Sequence, residues 1–279
     1  GRWSSPQGNA SWTTTERAWA RAHYDLAMSG SGSAWRAVNP TVSHYPYSLL
    51  WTTMQPSSGS NIYTSYYADM KRWYAAHRQY SLERAFLHSK GSSGDSASRL
   101  SFTIWGSARW AINGADAGAR AYDLDRMQRV SAADNGAFID EFSTGDMGVH
   151  IGATRETTSA TQYAGTFTPL LAAINGATHK RFLLNTAEYI TATDRANVTA
   201  SRGAHLEMFN NFESSGMIDR WKWIQTLTAA GAFVDFVSTY STQDVLNLGS
   251  SYPRGNSATS VQRAKLWELA SYYMAVSAS

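Results

Sequence analysis

Short apolar runs alternate with longer amphipathic segments along this chain. Seven runs are too short for helices and are bounded by Gly, Pro, Asn, Asp or Ser, which predicts strands. The predicted strands cover residues 22–29, 44–53, 81–89, 136–141, 180–185, 204–209 and 233–239. Segments between them place apolar residues at helical spacing. The predicted helices cover residues 34–38, 63–78, 117–132, 159–174, 194–201, 218–230 and 257–276, with a break at Pro169.

Strands that alternate with helices are typical of parallel βαβ units. The chain has 279 residues, close to the about 250 residues typical of a (β/α)8 barrel. We therefore predict an α/β fold, a single TIM-like (β/α)8 barrel domain over residues 1–279, with residues 1–15 as an irregular N-terminal segment packed on it. An eighth strand is not evident. Either the C-terminal tail hides it, the N-terminal segment supplies closure, or the segment stops short of it.

Composition excludes several classes of function. The chain has no Cys, so disulfides, zinc-thiolate sites and a Cys nucleophile are impossible. Its net charge of +3 comes from scattered Lys and Arg, without the basic stripe of a nucleic-acid interface. It contains no apolar run of about 18 residues, so no membrane span is predicted. We expect neither nucleic acid nor membrane as a partner.

Aromatic residues are abundant in a weakly charged chain, with 11 Trp and 15 Tyr against 16% charged residues. Aromatic faces stack on pyranose rings, while Ser, Thr, Asn and Gln bind sugar hydroxyls. Most of these aromatics are expected to fill the core and the helix–sheet interface. A few of them suit a carbohydrate site.

Polar residues stand at the exits of most predicted strands. The carboxyl ends of parallel strands gather at one face of a barrel, and active sites form there. Alternation places Asp140 with Phe138 on one face of its strand, and His205, Glu207 and Phe209 on the inward face of theirs. Two long loops, 90–99 and 144–157, also follow strand ends. The predicted catalytic residues are Asp140, Glu207 and Glu141, and the predicted substrate contacts are His88, Asn185, Tyr240 and Trp51.

Two opposed carboxylates are the requirement of glycoside hydrolysis. One attacks the anomeric carbon or activates water, and the other protonates the leaving oxygen. Glu207 lies between Leu206 and Met208, a setting that favours the protonated acid. Strand-end carboxylates also cap helices or pair with Arg, so a structural role stays open for each. Glu141 is the alternate for either catalytic role.

Other catalytic motifs are absent. The histidines include no HxH or HExxH spacing, so no metal site is predicted. The sequence also lacks GxSxG, and it has neither GxGxxG nor GxxxxGK[ST] in a strand–helix setting. No cofactor is therefore expected.

The stretch 136–141, with sequence GAFIDE, resembles the DGhFhD strand (h is apolar) of several TIM-barrel glycosyl hydrolases, including the endo-α-1,4-polygalactosaminidase-like family. The segments 24–26 and 82–89 resemble early strands of these proteins. Asn135 departs from the aspartate common in the family. The resemblance implies a barrel in which Asp140 is the nucleophile and Glu207 the acid/base, with retention of configuration.

These observations predict a glycoside hydrolase acting on a polysaccharide or oligosaccharide, as a secreted or extracellular monomer. The chain begins at Gly1 without a charged and apolar leader, which suits a mature segment. A non-catalytic carbohydrate-binding barrel is the rival interpretation. It would keep the aromatics but hold its carboxylates too far apart or blocked by Arg. A lyase or isomerase would need a metal or phosphate site, and none is evident.

Overall fold

The structure is a computed structural model that describes residues 13–28, 30–56, 64–104, 106–186, 191–206 and 217–236. The predicted helix 257–276 and most of the irregular segment 1–15 fall outside these residues. The strands are β1 Leu26–Met28, β2 Ser43–Tyr45, β3 Tyr47–Ser48, β4 Thr52–Met54, β5 Ser101–Ile104, β6 Ser107–Ala111, β7 Gly136–Ile139, β8 Arg181–Asn185, β9 Gly203–Leu206 and β10 Phe233–Phe236. The helices are α1 Thr14–His23, α2 Gly32–Val38, α3 Thr64–Ala76, α4 Ala117–Ser131, α5 Thr144–His150, α6 Ala160–Gly165, α7 Thr168–Thr178, α8 Ala192–Ser201 and α9 Met217–Ala229.

A parallel sheet forms the centre of the fold, with strand order β10-β9-β8-β7-β3. β2 continues the edge of this sheet, because the His44 and Pro46 carbonyls accept from Asn135 and Phe138 amides. β1 pairs with β2 in parallel. Pro46 has no N–H, which divides one long strand into β2 and β3. Strands β1, β2, β3, β7, β8, β9 and β10 therefore all run parallel to one another.

The two faces of the parallel sheet are sorted by the alternation expected of strands. The helix-side core contains Ala137, Ile139, Phe182, Leu184, Ala204 and Leu206. The opposite, inner face carries a separate apolar cluster with Leu26, Met28, Tyr45, Phe138 and Leu183. Phe233 of the last strand packs on this cluster together with residues of the first. The sheet is therefore curled around its inner face.

The mixed α/β class and the parallel strands agree with the prediction, but the described strands do not show a closed eight-stranded barrel. The predicted strand 81–89 is wrong as a barrel strand. It holds a 3₁₀ turn at Glu83–Ala85 followed by isolated antiparallel bridges at Phe86, His88 and Ser89. β7 pairs directly with β3 instead. The parallel sheet has no position between them for this segment.

A second, antiparallel sheet with strand order β4-β6-β5 lies between the parallel strands β3 and β7 in the sequence. The predicted strand 44–53 is thus divided between two sheets. β5 and β6 form a hairpin whose turn includes Gly106 in the left-handed region, at φ 75°. Sequence periodicity misses this sheet because its edge strand β5 has mostly exposed or half-buried side chains.

Helix boundaries follow local signals closely. Asp116 caps α4 by accepting from the Gly118 and Ala119 amides. The predicted helix 159–174 is broken before Pro169, which lies in the first turn of α7, where its missing N–H costs no hydrogen bond. Within the predicted loop 144–157, residues Thr144–His150 form α5. None of the helices in the described ranges is long and apolar enough to span a membrane.

Candidate active site

The carboxylate of Asp140 lies just beyond β7, at the carboxyl edge of the parallel sheet. Its Oδ2 accepts a hydrogen bond from the Tyr47 hydroxyl at 2.6 Å. Its Oδ1 accepts from Asn185 Nδ2 at 2.7 Å and from the Glu141 amide at 2.9 Å. Asp140 and Asn185, both predicted site residues, are therefore in direct contact. Donors on both oxygens fix the orientation of this carboxylate.

Glu141 leaves the strand conformation at once, with φ at 54°. A non-glycine residue in this left-handed region costs about 1–3 kcal/mol and persists only where the surroundings hold it. Three contacts do so here. Trp51 Nε1 donates to the Glu141 carbonyl at 2.7 Å, the Glu141 amide donates to Asp140, and Arg109 forms an ion pair with the Glu141 carboxylate.

The ion pair between Arg109 of β6 and Glu141, which follows β7, joins the antiparallel sheet to the carboxyl edge of the parallel sheet. Both terminal nitrogens of Arg109 donate, one to each carboxylate oxygen. Burial raises the pKa of Glu141, Arg109 opposes this, and the charges of Asp140 and Asp146 add to it. Glu141 is thus engaged by Arg109, whereas no cation contacts Asp140 among the described residues.

Arg109 and Tyr47 are the site residues that sequence reasoning misses. Arg109 is buried, and its Nε has no hydrogen-bond partner within the described ranges. A lone arginine between apolar residues in the run 107–111 is the signal that could have found it. Tyr47 lies on the second predicted strand, two residues after Tyr45, so alternation places it on the inner face.

Two predicted substrate contacts, Trp51 and His88, are not among the hydrogen-bond partners of the Asp140 carboxylate in the described ranges. The Trp51 side chain has 0% exposure and stacks on Phe102 with ring centroids 5.5 Å apart. It therefore offers no open ring face to a sugar and instead supports Glu141. His88 is also buried, between Glu156 at 2.8 Å and Glu83 at 3.1 Å.

Glu207 and Tyr240, the remaining predicted site residues, lie outside the described residues. Their roles stay predictions. Two residues before Glu207, His205 lies on the inner face, with its ring edge on Phe138 at 5.1 Å between centroids. No group of three metal-ligating side chains within the described ranges is arranged to hold a metal ion.

Comparison with known proteins gives structural likeness only. No family model and no curated protein matches the sequence. A Paenibacillus sp. cycloisomaltooligosaccharide glucanotransferase aligns with TM-score 0.46 and 9% identity, over 77% of this chain and 34% of its own. A Trueperella pyogenes cycloalternan-degrading enzyme aligns with TM-score 0.41 and 8% identity, over 85% of this chain and 35% of its own. An Aspergillus niger xylosidase aligns with TM-score 0.39 and 11% identity, over 94% of this chain and 47% of its own.

These three neighbours are carbohydrate-processing enzymes by name, and this chain spans about a third to a half of their length. Their TM-scores and identities are low. The resemblance to the polygalactosaminidase-like family has no matching family model.

Proposed function

We propose that this protein is a glycoside hydrolase that cleaves a polysaccharide or oligosaccharide with Asp140 as its nucleophile. The observation that carries the proposal is the Asp140 carboxylate at the carboxyl edge of a curled parallel sheet, oriented by Tyr47 and Asn185. Edges of this kind collect the catalytic groups of α/β enzymes. A glycosidase nucleophile must be held in place before it meets the anomeric carbon.

In the proposed reaction an Asp140 oxygen attacks the anomeric carbon while an acid protonates the departing glycosidic oxygen. Water then hydrolyses the glycosyl ester, with the same acid now acting as base, and configuration is retained. Glu207 is the proposed acid/base. Glu141 is the alternate, but Arg109 occupies both of its oxygens. We therefore propose that Glu141 and Arg109 have a structural role and form the wall of the site beside Asp140.

The rival function, a carbohydrate-binding barrel without catalysis, is favoured by one observation. Arg109 blocks Glu141, as expected where a strand-end carboxylate has a structural role. No arginine or lysine of the described part of the chain pairs with Asp140, which favours the hydrolase. The location outside the cell and the monomeric state remain predictions.

The test is turnover of the Asp140→Asn and Glu207→Gln proteins on soluble polysaccharides, including glucans, xylan, chitosan and α-1,4-polygalactosamine. Loss of a nucleophile is expected to lower kcat by about a thousandfold or more. Asp134→Asn is the control, because Asp134 is also partly buried but lies before β7, at the opposite edge of the sheet. Wild-type turnover in both active-site variants would falsify the assignment, and sugar binding without turnover in the wild type would favour the rival.

A further inference from the structure

A buried histidine and a partly buried aspartate form a pair on the inner face of the parallel sheet. His205 Nδ1 and Asp235 Oδ2 are 2.9 Å apart. His205 is only 2% exposed, whereas the Asp235 side chain is 20% exposed. Burying a carboxylate is costly unless it is paired or used. The pair is therefore a candidate for function as well as for packing.

Strand register places this pair in one row with Asp140. Asn185 of β8 is the register partner of His205 of β9, and His205 is the partner of Asp235 of β10. Asn185 donates to Asp140, which lies beyond the end of β7. Residues that are partners across parallel strands point to the same face. One polar row thus runs across four strands on the inner side.

The curl of the sheet turns Asp235 toward the enclosed inner space. Phe233, two residues before it, packs on the inner-face cluster, whose members include Leu26 and Tyr45 from the strands at the other side of the sheet. Burial raises the pKa of the Tyr45 hydroxyl, Arg181 opposes this, and the charge of Asp235 adds to it. The charge of Asp235 therefore reaches the Tyr45 hydroxyl through the enclosed space, although β7, β8 and β9 lie between their two strands in the sheet.

One oxygen of Asp235 is not used by the described residues. Oδ2 faces His205, and Oδ1 has no hydrogen-bond partner within the described ranges. Since a carboxylate accepts, His205 carries its proton on Nδ1 in this pair. The Asp235 carboxylate is thus oriented by His205, partly exposed, and in the same row as the candidate nucleophile Asp140. Its second oxygen can accept a hydrogen bond from a ligand hydroxyl.

We propose that Asp235 binds hydroxyl groups of the saccharide that Asp140 cleaves, further along the same polar row, and that His205 is the positioning residue that orients Asp235. This inference rests on the proposed function and adds a sugar-binding carboxylate to the site. The ligand class is a neutral or cationic pyranose, because a carboxylate repels an anionic sugar.

The experiment compares Asp235→Asn and His205→Asn with a matched pair at the opposite sheet edge, Asp134→Asn and His44→Asn. His44 and Asp134 also form a histidine–carboxylate pair, at 2.9 Å, and Arg36 joins it at 2.7 Å. Asp235→Asn is expected to lower kcat/KM by about tenfold or more, and His205→Asn to lower it in the same direction. The matched variants should lower the thermal midpoint but leave kcat/KM within about twofold. Equal kinetics for Asp235→Asn and Asp134→Asn would overturn the inference.

Binding to the inactive Asp140→Asn protein separates this inference from the proposed function. Hexasaccharides of starch, xylan, chitosan and α-1,4-galactosamine are the probes, measured by calorimetry. Adding Asp235→Asn should weaken the binding of the recognised probe by about tenfold, since a site built for a hydroxyl discriminates strongly. Unchanged binding contradicts the inference alone. Full turnover by the Asp140→Asn protein contradicts the proposed function, and failure of every probe to bind contradicts both.

Nitrogen-15 spectra of the histidine rings give a further readout that simple loss of stability does not change. We expect His205 in the Nδ1-protonated form, with its signals shifting when the probe sugar is added and its tautomer lost in Asp235→Asn. A His205 ring protonated on Nε2 alone in the wild type would contradict the positioning role.

Discussion

Asp140 shows how one residue acquires a defined orientation from distant parts of the chain. Its donors are the neighbouring amide of Glu141, the Tyr47 hydroxyl 93 positions earlier and the Asn185 amide 45 positions later. Alternation along the strand places Asp140 on the inner face, but it cannot choose the partners. Tyr47 reaches Asp140 because β3 and β7 are adjacent, a pairing that the predicted strand order excludes.

The Tyr47→Phe variant tests this residue-scale arrangement. A hydrogen bond to a charged group contributes about 1.5–3 kcal/mol, so its loss from the reacting carboxylate should lower kcat about tenfold to hundredfold. Tyr122→Phe is the control, because the Tyr122 hydroxyl also donates to an aspartate, Asp69, at 3.2 Å. The control should keep wild-type kcat. Equal kcat values for the two variants would contradict a role of Tyr47 at Asp140.

At the scale of elements, α4 holds the end of β3 in place through a buried arginine. Arg126 donates to Ser48 Oγ at 2.9 Å and to the Leu49 carbonyl at 2.5 Å. It also pairs with Asp123 on its own helix, and both side chains are almost completely buried. The helix itself could be predicted from its periodicity and cap. Its anchoring role could not, because the contacts join positions 77 and 78 residues apart.

Replacing Arg126 by Ala should destabilise the fold by about 3–5 kcal/mol, because it leaves the Asp123 carboxylate buried without its partner. Arg129→Ala is the matched control on the same helix. Arg129 pairs with Asp69 and Asp125 but its side chain is 48% exposed, so its loss should cost no more than about 1 kcal/mol. Urea unfolding of both variants measures the difference, and similar midpoints would contradict the anchoring role.

At the scale of the whole molecule, the two sheets are joined beside the candidate site. Trp51 follows β3, Phe102 belongs to β5 and His150 ends α5, and their rings stack together. The Arg109–Glu141 ion pair lies at the same junction. Burial lowers the pKa of His150, and the charge of Arg109 lowers it further. The folded protein therefore favours the neutral imidazole at this junction.

This junction should make stability depend on pH. The pKa of His150 is lower in the folded protein than in the unfolded chain, whose histidines titrate at about pH 6.5. Between these two pKa values the unfolded chain binds more protons, so the free energy of unfolding falls as pH decreases. The His150→Gln variant lacks this contribution. Urea unfolding at several pH values should show the wild type losing stability relative to the variant below neutrality. A difference that is constant with pH, or of the opposite sign, would contradict it.

Hydrophobic periodicity and caps are local properties, so they predict most of the described helices, most of the parallel strands and the sorting of their faces. The sequence also identified Asp140 and Asn185 at neighbouring strand ends. Three features are visible in the folded protein alone: residues 81–89 leave the parallel sheet, Arg109 pairs with Glu141, and Asp235 shares a row with Asp140. These features depend on strand pairing and curl between distant segments, which no local pattern encodes.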